Sequence, residues 1–258
     1  MRTEPALIAL LPHPDDEFAI LPLLQRAQAD GRAIHLVWLT DGAFGGVDPE
    51  ARRCESLRAL QSVGVQPVTS AFVGTEGRIP DGRLHLSMAE AHAATVAVLE
   101  AVGGPAELWL PAWEGGHQDH DAAHALGRAL ARSRGFPVLQ YPLYQGESLR
   151  GPVFRALAPL RASTIVRALP VGWADLGRLV RACLHYRSQW RSFVGLLPMA
   201  LLRLLVVRSI VLCAVDPAAP LRPPHPGPLL YERRTPWRWP DLEAAVRPYW
   251  SSSTGEGP

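Results

Sequence analysis

The chain has 258 residues, 48% of them hydrophobic, and a formal net charge of +2. That length allows one large domain, or one domain with an appendage, and a substantial core; a charge so near zero gives no electrostatic case for nucleic acid. Every basic residue is arginine, and the three cysteines, Cys54, Cys183 and Cys213, are isolated and odd in number, which excludes a disulfide framework or a thiolate zinc motif and favours a reducing, cytoplasmic setting.

Ala6 to Leu11 is a short apolar run closed by Pro12 and reads as a buried strand. The start of the chain lacks the charged region, apolar stretch and cleavage site of a signal peptide, so none is expected. Phe18 to Asp30 has helical spacing and Gly31 as a stop. Ala33 to Thr40 is a second buried strand, turned by Asp41-Gly42, and Pro49 to Val63 a helix ended by Gly64. Val65 to Val73 returns as a strand broken by Pro67. Gly74 to Arg83 is a polar loop with the turn signature Pro80-Asp81-Gly82. Ser87 to Val102 is a helix, Glu107 to Pro111 a strand, Asp121 to Arg134 a helix and Val138 to Tyr141 a strand. This alternation predicts an α/β fold with a Rossmann-like, mostly parallel sheet and helices on both faces.

From Pro142 the pattern changes. Ser163 to Leu169 is a candidate strand, Trp173 to Trp190 an amphipathic helix, Pro217 to Pro228 a proline-rich connector and Leu229 to Glu232 a late strand. We expect a catalytic core over 1–145, a helical and strand extension packed on it over 146–250, and a disordered tail over 251–258.

His13-Pro14-Asp15-Asp16-Glu17 follows the first strand directly, and His117-Gln118-Asp119-His120 follows the fourth. Acidic residues in a first helical turn have an ordinary role as caps. That role does not explain a histidine in front of them, or a second histidine cluster at the exit of another strand. In open parallel sheets the carboxyl ends of strands are where ligands bind. Imidazole and carboxylate suit zinc, and a catalytic zinc needs three ligands plus an open position.

These residues resemble the PIG-L/LmbE group of zinc-dependent sugar N-deacetylases. The resemblance rests on Pro12 to Glu17 and on His117 to His120. Thr40-Asp41-Gly42, Arg52-x-x-Glu55-x-x-x-Ala59, Pro80-Asp81-Gly82-x-Leu84 and Tyr186-Arg187-Ser188-Gln189 add to it. It implies His13, Asp16 and His120 as ligands of one zinc ion, Asp15 as general base and His117 as acid or oxyanion stabiliser. Asp119, Arg52 and Asp81 then serve in a supporting shell or against substrate. The implied substrate is an N-acetylglucosamine-type glycoconjugate, and another amide or ester, or ligand binding without hydrolysis, are the alternatives. Some members have a tyrosine where this chain has Gly115.

Several residues have competing readings. His124 shares a helix face with His120 and could be a ligand or a surface histidine. Asp119 could orient a ligand or cap the helix, Arg52 could clamp substrate or be solvated, and Trp113 could stack a sugar or lie in the core. Phe193 to Val215 is long enough to raise a membrane span, but Arg203 and Arg208 would each cost about 2.5–3.5 kcal/mol at a bilayer centre. Two readings remain there: a core helix followed by a buried strand, or, around Phe193 to Leu205, an amphipathic element at a membrane surface near the site mouth.

Overall fold

The structure is a computed structural model and describes residues 5–250. Strands β1 (Ala6–Leu11), β2 (Ile34–Trp38), β3 (Thr69–Ala71), β4 (Ala106–Pro111) and β5 (Val138–Tyr141) pair in parallel. A short hairpin of β6 (Tyr144–Gln145) and β7 (Arg155–Ala156) follows. Strands β8 (Ile165–Pro170) and β9 (Ser209–Ala214) then add to the same sheet in antiparallel sense, giving seven strands in the order β3-β2-β1-β4-β5-β9-β8.

Both faces are covered, so β1 is apolar at every position rather than alternating with polar residues. Its pleat divides it between two cores. Leu7, Ala9 and Leu11 pack with helices α1 (Leu21–Ala29) and α2 (Pro49–Ser62) on one face. A single turn, α3 (Val73–Glu76), leads toward the other face, where Ile8 and Leu10 pack with α4 (Met88–Val102) and α5 (Gln118–Arg134). Helices α6 (Trp173–Cys183) and α7 (Trp190–Val207) join the first layer. A turn of helix, α8 (Leu230–Arg234), and α9 (Trp239–Trp250) close the second.

Several expectations are corrected. The segment after the first motif starts as a 3₁₀ turn, Asp16–Ile20, before α1. Pro67 and its neighbours shorten the third strand to Thr69–Ala71. The predicted helix Trp173 to Trp190 breaks at Cys183 and resumes at Trp190, with a 3₁₀ turn between. Leu229 to Glu232 is not a strand: Leu230–Arg234 is helical, begun where the Leu230 amide donates to the Gly115 carbonyl at 2.8 Å. Phe193 to Val215 does end in a buried strand, β9, but the helix before it is not core. Of the 18 residues of α7 only Phe193, Ala200 and Leu204 are buried. The predicted tail over 251–258 lies outside the described residues.

Candidate active site

The chain leaves β1 to build β2 and β3 on one side, then crosses over to build β4 on the other. The carboxyl ends of β1 and β4 therefore flank the point where strand order reverses, the crevice in which open α/β sheets bind ligands. The two strands pair directly, Ala9 opposite Trp109, so the loops that leave them, His13 to Glu17 and Ala112 to His120, meet. A proline stands at the exit of each strand, Pro12 just after β1 and Pro111 as the last residue of β4.

The first loop is tightly held. Asp15 has φ 128° and ψ −17°, a conformation that costs a non-glycine residue about 1–3 kcal/mol. Its amide donates to Glu17 Oε2 at 3.0 Å, and its carbonyl accepts from the Phe18 amide at 3.0 Å. Glu17 is fully buried and also accepts from Trp38 Nε1 at 3.0 Å and from the Tyr186 hydroxyl at 2.9 Å. It is a buttress, not a helix cap. Asp16 Oδ2 accepts from the His13 amide at 2.8 Å and lies 3.1 Å from His13 Nδ1 and 3.5 Å from His120 Nε2.

The second loop enters α5 with His117 as its N-cap, and His117 Nδ1 accepts from the Asp119 amide at 3.1 Å. The rings of His117 and His120 sit 4.8 and 5.3 Å from that of His13. One ring nitrogen from each of the three histidines lies within 4.8 Å of the others, and His13, Asp81 and Asp119 form a second such group. Both nitrogens of His120 are buried with no hydrogen-bond partner among the described residues.

The remaining predicted residues sort by what they touch. Asp119 caps nothing: its carboxylate crosses to the Pro80 turn, accepting from the Gly82 amide at 2.6 Å, the Leu84 amide at 3.0 Å and His13 Nε2 at 3.2 Å. Asp81 comes within 3.3 Å of the same His13 nitrogen. Arg52 is not solvated; it is 1% exposed, donates to the Gly42 carbonyl, and sets its Nη2 3.2 Å from Asp15 Oδ2. His124 points away from His120 and donates through Nδ1 to the Pro111 carbonyl at 2.9 Å, while Trp113 packs between Trp239 and Trp250. Both belong to the fold. A side chain at Gly115 has no room, since a Cβ there would stand 2.8 Å from Leu229 and its φ is +69°.

Three buried residues, Glu114, Asp121 and His85, and the half-buried Tyr144, none with a motif signal, also shape the site. Glu114 accepts from the Leu143 and Tyr144 amides, and Asp121 from the Glu114 and Gly115 amides, so the loop before His117 is fixed from both sides. Tyr144 sets its ring against His120 at 5.1 Å, and His85 lies edge-on to Trp237 behind Asp119. Glu114 next to a Gly-Gly pair and a histidine was a usable cue; Tyr144, arriving after β5, left none.

Burial sets the charges. It pushes the Asp15 carboxyl up to about 7, against the pull of Arg52 and with the push of Asp16. Burial also works against the Asp16 anion, but His120 and His13 outweigh it and hold that carboxyl well below the usual range. Asp119 is held low against burial by its hydrogen bonds with His13 and His85. Burial and the charge of His13 push His117 down to about 4. A groove of about 630 Å³ lies elsewhere, around Trp109, Arg32 and Arg167, whose guanidinium groups engage Glu107.

The histidines and carboxylates gathered at the switch point of this α/β sheet are a donor set that could hold a divalent metal ion. Residues 8–131 match the family described as PIG-L: GlcNAc-PI de-N-acetylase. No curated protein matches the sequence. Among solved structures, the pseudoaglycone deacetylase Dbv21 superposes with a TM-score of 0.60 at 17% identity, covering 86% of this chain and 100% of its own. The zinc-inhibited form of teicoplanin deacetylase Orf2 gives 0.52 at 16% identity, over 71% and 84% of the two chains. The N,N'-diacetylchitobiose deacetylase of Pyrococcus horikoshii gives 0.54 at 13%, over 80% and 82%. These likenesses establish the shared fold.

Proposed function

We propose that the chain is a divalent-metal-dependent hydrolase, with zinc the metal its donors suit, that removes the acetyl group from an N-acetylglucosamine-type glycoconjugate. The observation that carries this is a partly buried carboxyl, Asp15, in the same loop as His13, where three histidines converge at the switch point of the sheet. The PIG-L family match over residues 8–131 and the deacetylase neighbours support it.

The residues fit a cation. Two orphaned nitrogens on a buried histidine are costly unless something ligates them. His13, Asp16 and His120 would hold the ion, since Asp16 lies against both rings. His117 is a different case. Its Nδ1 is occupied by an amide donor, so in the neutral form that burial favours its proton sits on Nε2. It is then a hydrogen-bond donor, suited to the oxyanion and not to a metal.

A bound divalent cation lowers the pKa of its water to about 7 and polarises a carbonyl. Asp15, poised near neutrality, accepts the proton of the attacking water and returns it to the departing amine. His117 Nε2 donates to the developing oxyanion. Acetate and the free amino sugar are the products. Arg52 positions the Asp15 carboxylate, and Asp119 orients His13.

The test is acetate release from free, nucleotide-linked and lipid-linked N-acetylglucosamine, before and after chelation and after restoring zinc. Metal-dependent release from at least one of the panel is expected. Stoichiometric metal with no release would overturn the deacetylase reading, and a parallel panel of other amides and esters would show whether hydrolysis survives in another form.

A further inference from the structure

A surface helix ordinarily turns an apolar stripe to the core and a polar face to water. Helix α7 does not. Phe193, Ala200 and Leu204 face the core, and on the opposite side Val194, Pro198, Leu202 and Val206 recur every four residues along one exposed stripe. Val194 is 65% exposed, Leu202 59% and Val206 74%, with Met199 and Leu205 beside them. The segment Arg187–Val207 is long and apolar enough to cross a membrane. Yet one face is committed to the protein, Pro198 interrupts it, and the Arg203 side chain is tied to the Leu157 carbonyl. A helix in that state lies along an interface and does not span it.

The charge pattern selects the interface. Between Leu176 and Val215 the sequence has six arginines and no carboxylate. Each end of α7 has an exposed tryptophan paired with an arginine: Arg191 over Trp190 at the start, and Arg208 over Trp173 at the end. Trp190 is 60% and Trp173 69% exposed. An apolar stripe bracketed by indole and guanidinium matches the boundary between acyl chains and anionic headgroups, where aromatic rings collect and each arginine adds about 1 kcal/mol of attraction. A second copy of this chain would instead set the same cationic surface against itself.

We propose that α7 is a monotopic docking helix that seats the molecule on an anionic phospholipid surface. The helix starts at the site's rim: Phe193 meets Phe18 edge-on at 5.4 Å, one residue beyond the first motif, and stacks on Tyr186 at 5.0 Å. This inference does not depend on the reaction proposed above, because binding is read without turnover.

The experiment is sedimentation of the purified full chain with vesicles of phosphatidylcholine alone and of equal parts phosphatidylcholine and phosphatidylglycerol. Binding to the mixed vesicles, weaker binding to the neutral ones and release by salt are expected. Leu202→Glu and Val206→Glu should each lower partitioning about tenfold, with melting temperature unchanged because both side chains are exposed. If either shifts the melting temperature, Leu202→Ser and Val206→Ser take its place. Wild-type protein that stays in the supernatant at low salt would overturn the proposal. So would binding that none of these variants reduces, or a vesicle-free dimer that Leu202→Glu dissociates, which would give the stripe to a second copy.

Discussion

Asp119→Asn is the most discriminating single change in the supporting shell. The wild-type carboxylate is fully buried and accepts three hydrogen bonds, from the Gly82 amide, the Leu84 amide and His13. Asparagine keeps the shape but has one acceptor oxygen, and its NH₂ must face a donor. At least one buried amide is orphaned, at about 1–3 kcal/mol, and a charge-assisted bond to His13 is weakened. The expected loss is about 2–4 kcal/mol, or roughly 5–15 °C in Tm for a chain of this size. Because the same group orients a proposed ligand, metal affinity should fall about 10–100-fold. Thermal melting with and without metal, and competition against a graded chelator, read the two effects separately. A variant that melts with the wild type and holds its metal equally well would refute the argument, and Asp119 would then be a bystander to both loop and ligand.

Asp15→Asn should keep its metal and lose about 10²–10⁴-fold in kcat, as a lost general base does; a metal-free variant would make Asp15 a ligand. His120→Ala should lower bound metal while His117→Ala retains it and loses kcat, and metal analysis of the two proteins would expose a reversal. His124 is buried and pushed down to about 4 from an ordinary 6.5, so the unfolded chain takes up its proton first. Stability from this group is therefore present above pH 6.5 and lost as pH falls toward about 4, by an amount approaching about 3 kcal/mol; urea titrations of His124→Gln should show a shallower slope across that window. At Gly127 a Cβ would stand 2.2 Å from a Leu110 methyl, so Gly127→Ala should cost about 1–3 kcal/mol by overpacking, measured by the same titrations.

How much of this was legible depends on the range of the interaction. The parallel half of the sheet follows from runs such as Ala6 to Leu11, because burial on both faces leaves an unbroken apolar stretch between turn residues. The convergence of His13 with His117 and His120 follows from two strand exits and one topological rule. Arg52 reads as a substrate clamp or a solvated arginine because nothing in a helical Arg-Arg pair tells which guanidinium turns inward; only the position of α2 beside Gly42 decides it. Leu229 to Glu232 has the composition of a strand and is helical because its amide meets Gly115, more than a hundred residues away in sequence. Whether the apolar segment of α7 is core or a surface element stayed open for a similar reason: an all-apolar helix looks the same on both faces until one of them is occupied.

The fastening of Glu17 has a consequence for the order in which the protein comes into being. Every proposed ligand and catalytic group lies within the first 120 residues, yet the carboxylate that braces their turn waits for Tyr186, and Glu55 on α2 waits for the amide and hydroxyl of Ser188. The edge of β5 is open until β9 arrives. A nascent chain that has just released its second histidine motif therefore holds all the chemical groups and none of the finishing braces. Competence is deferred until synthesis is nearly complete, and a fragment ending before α6 is expected to carry the motifs without the centre.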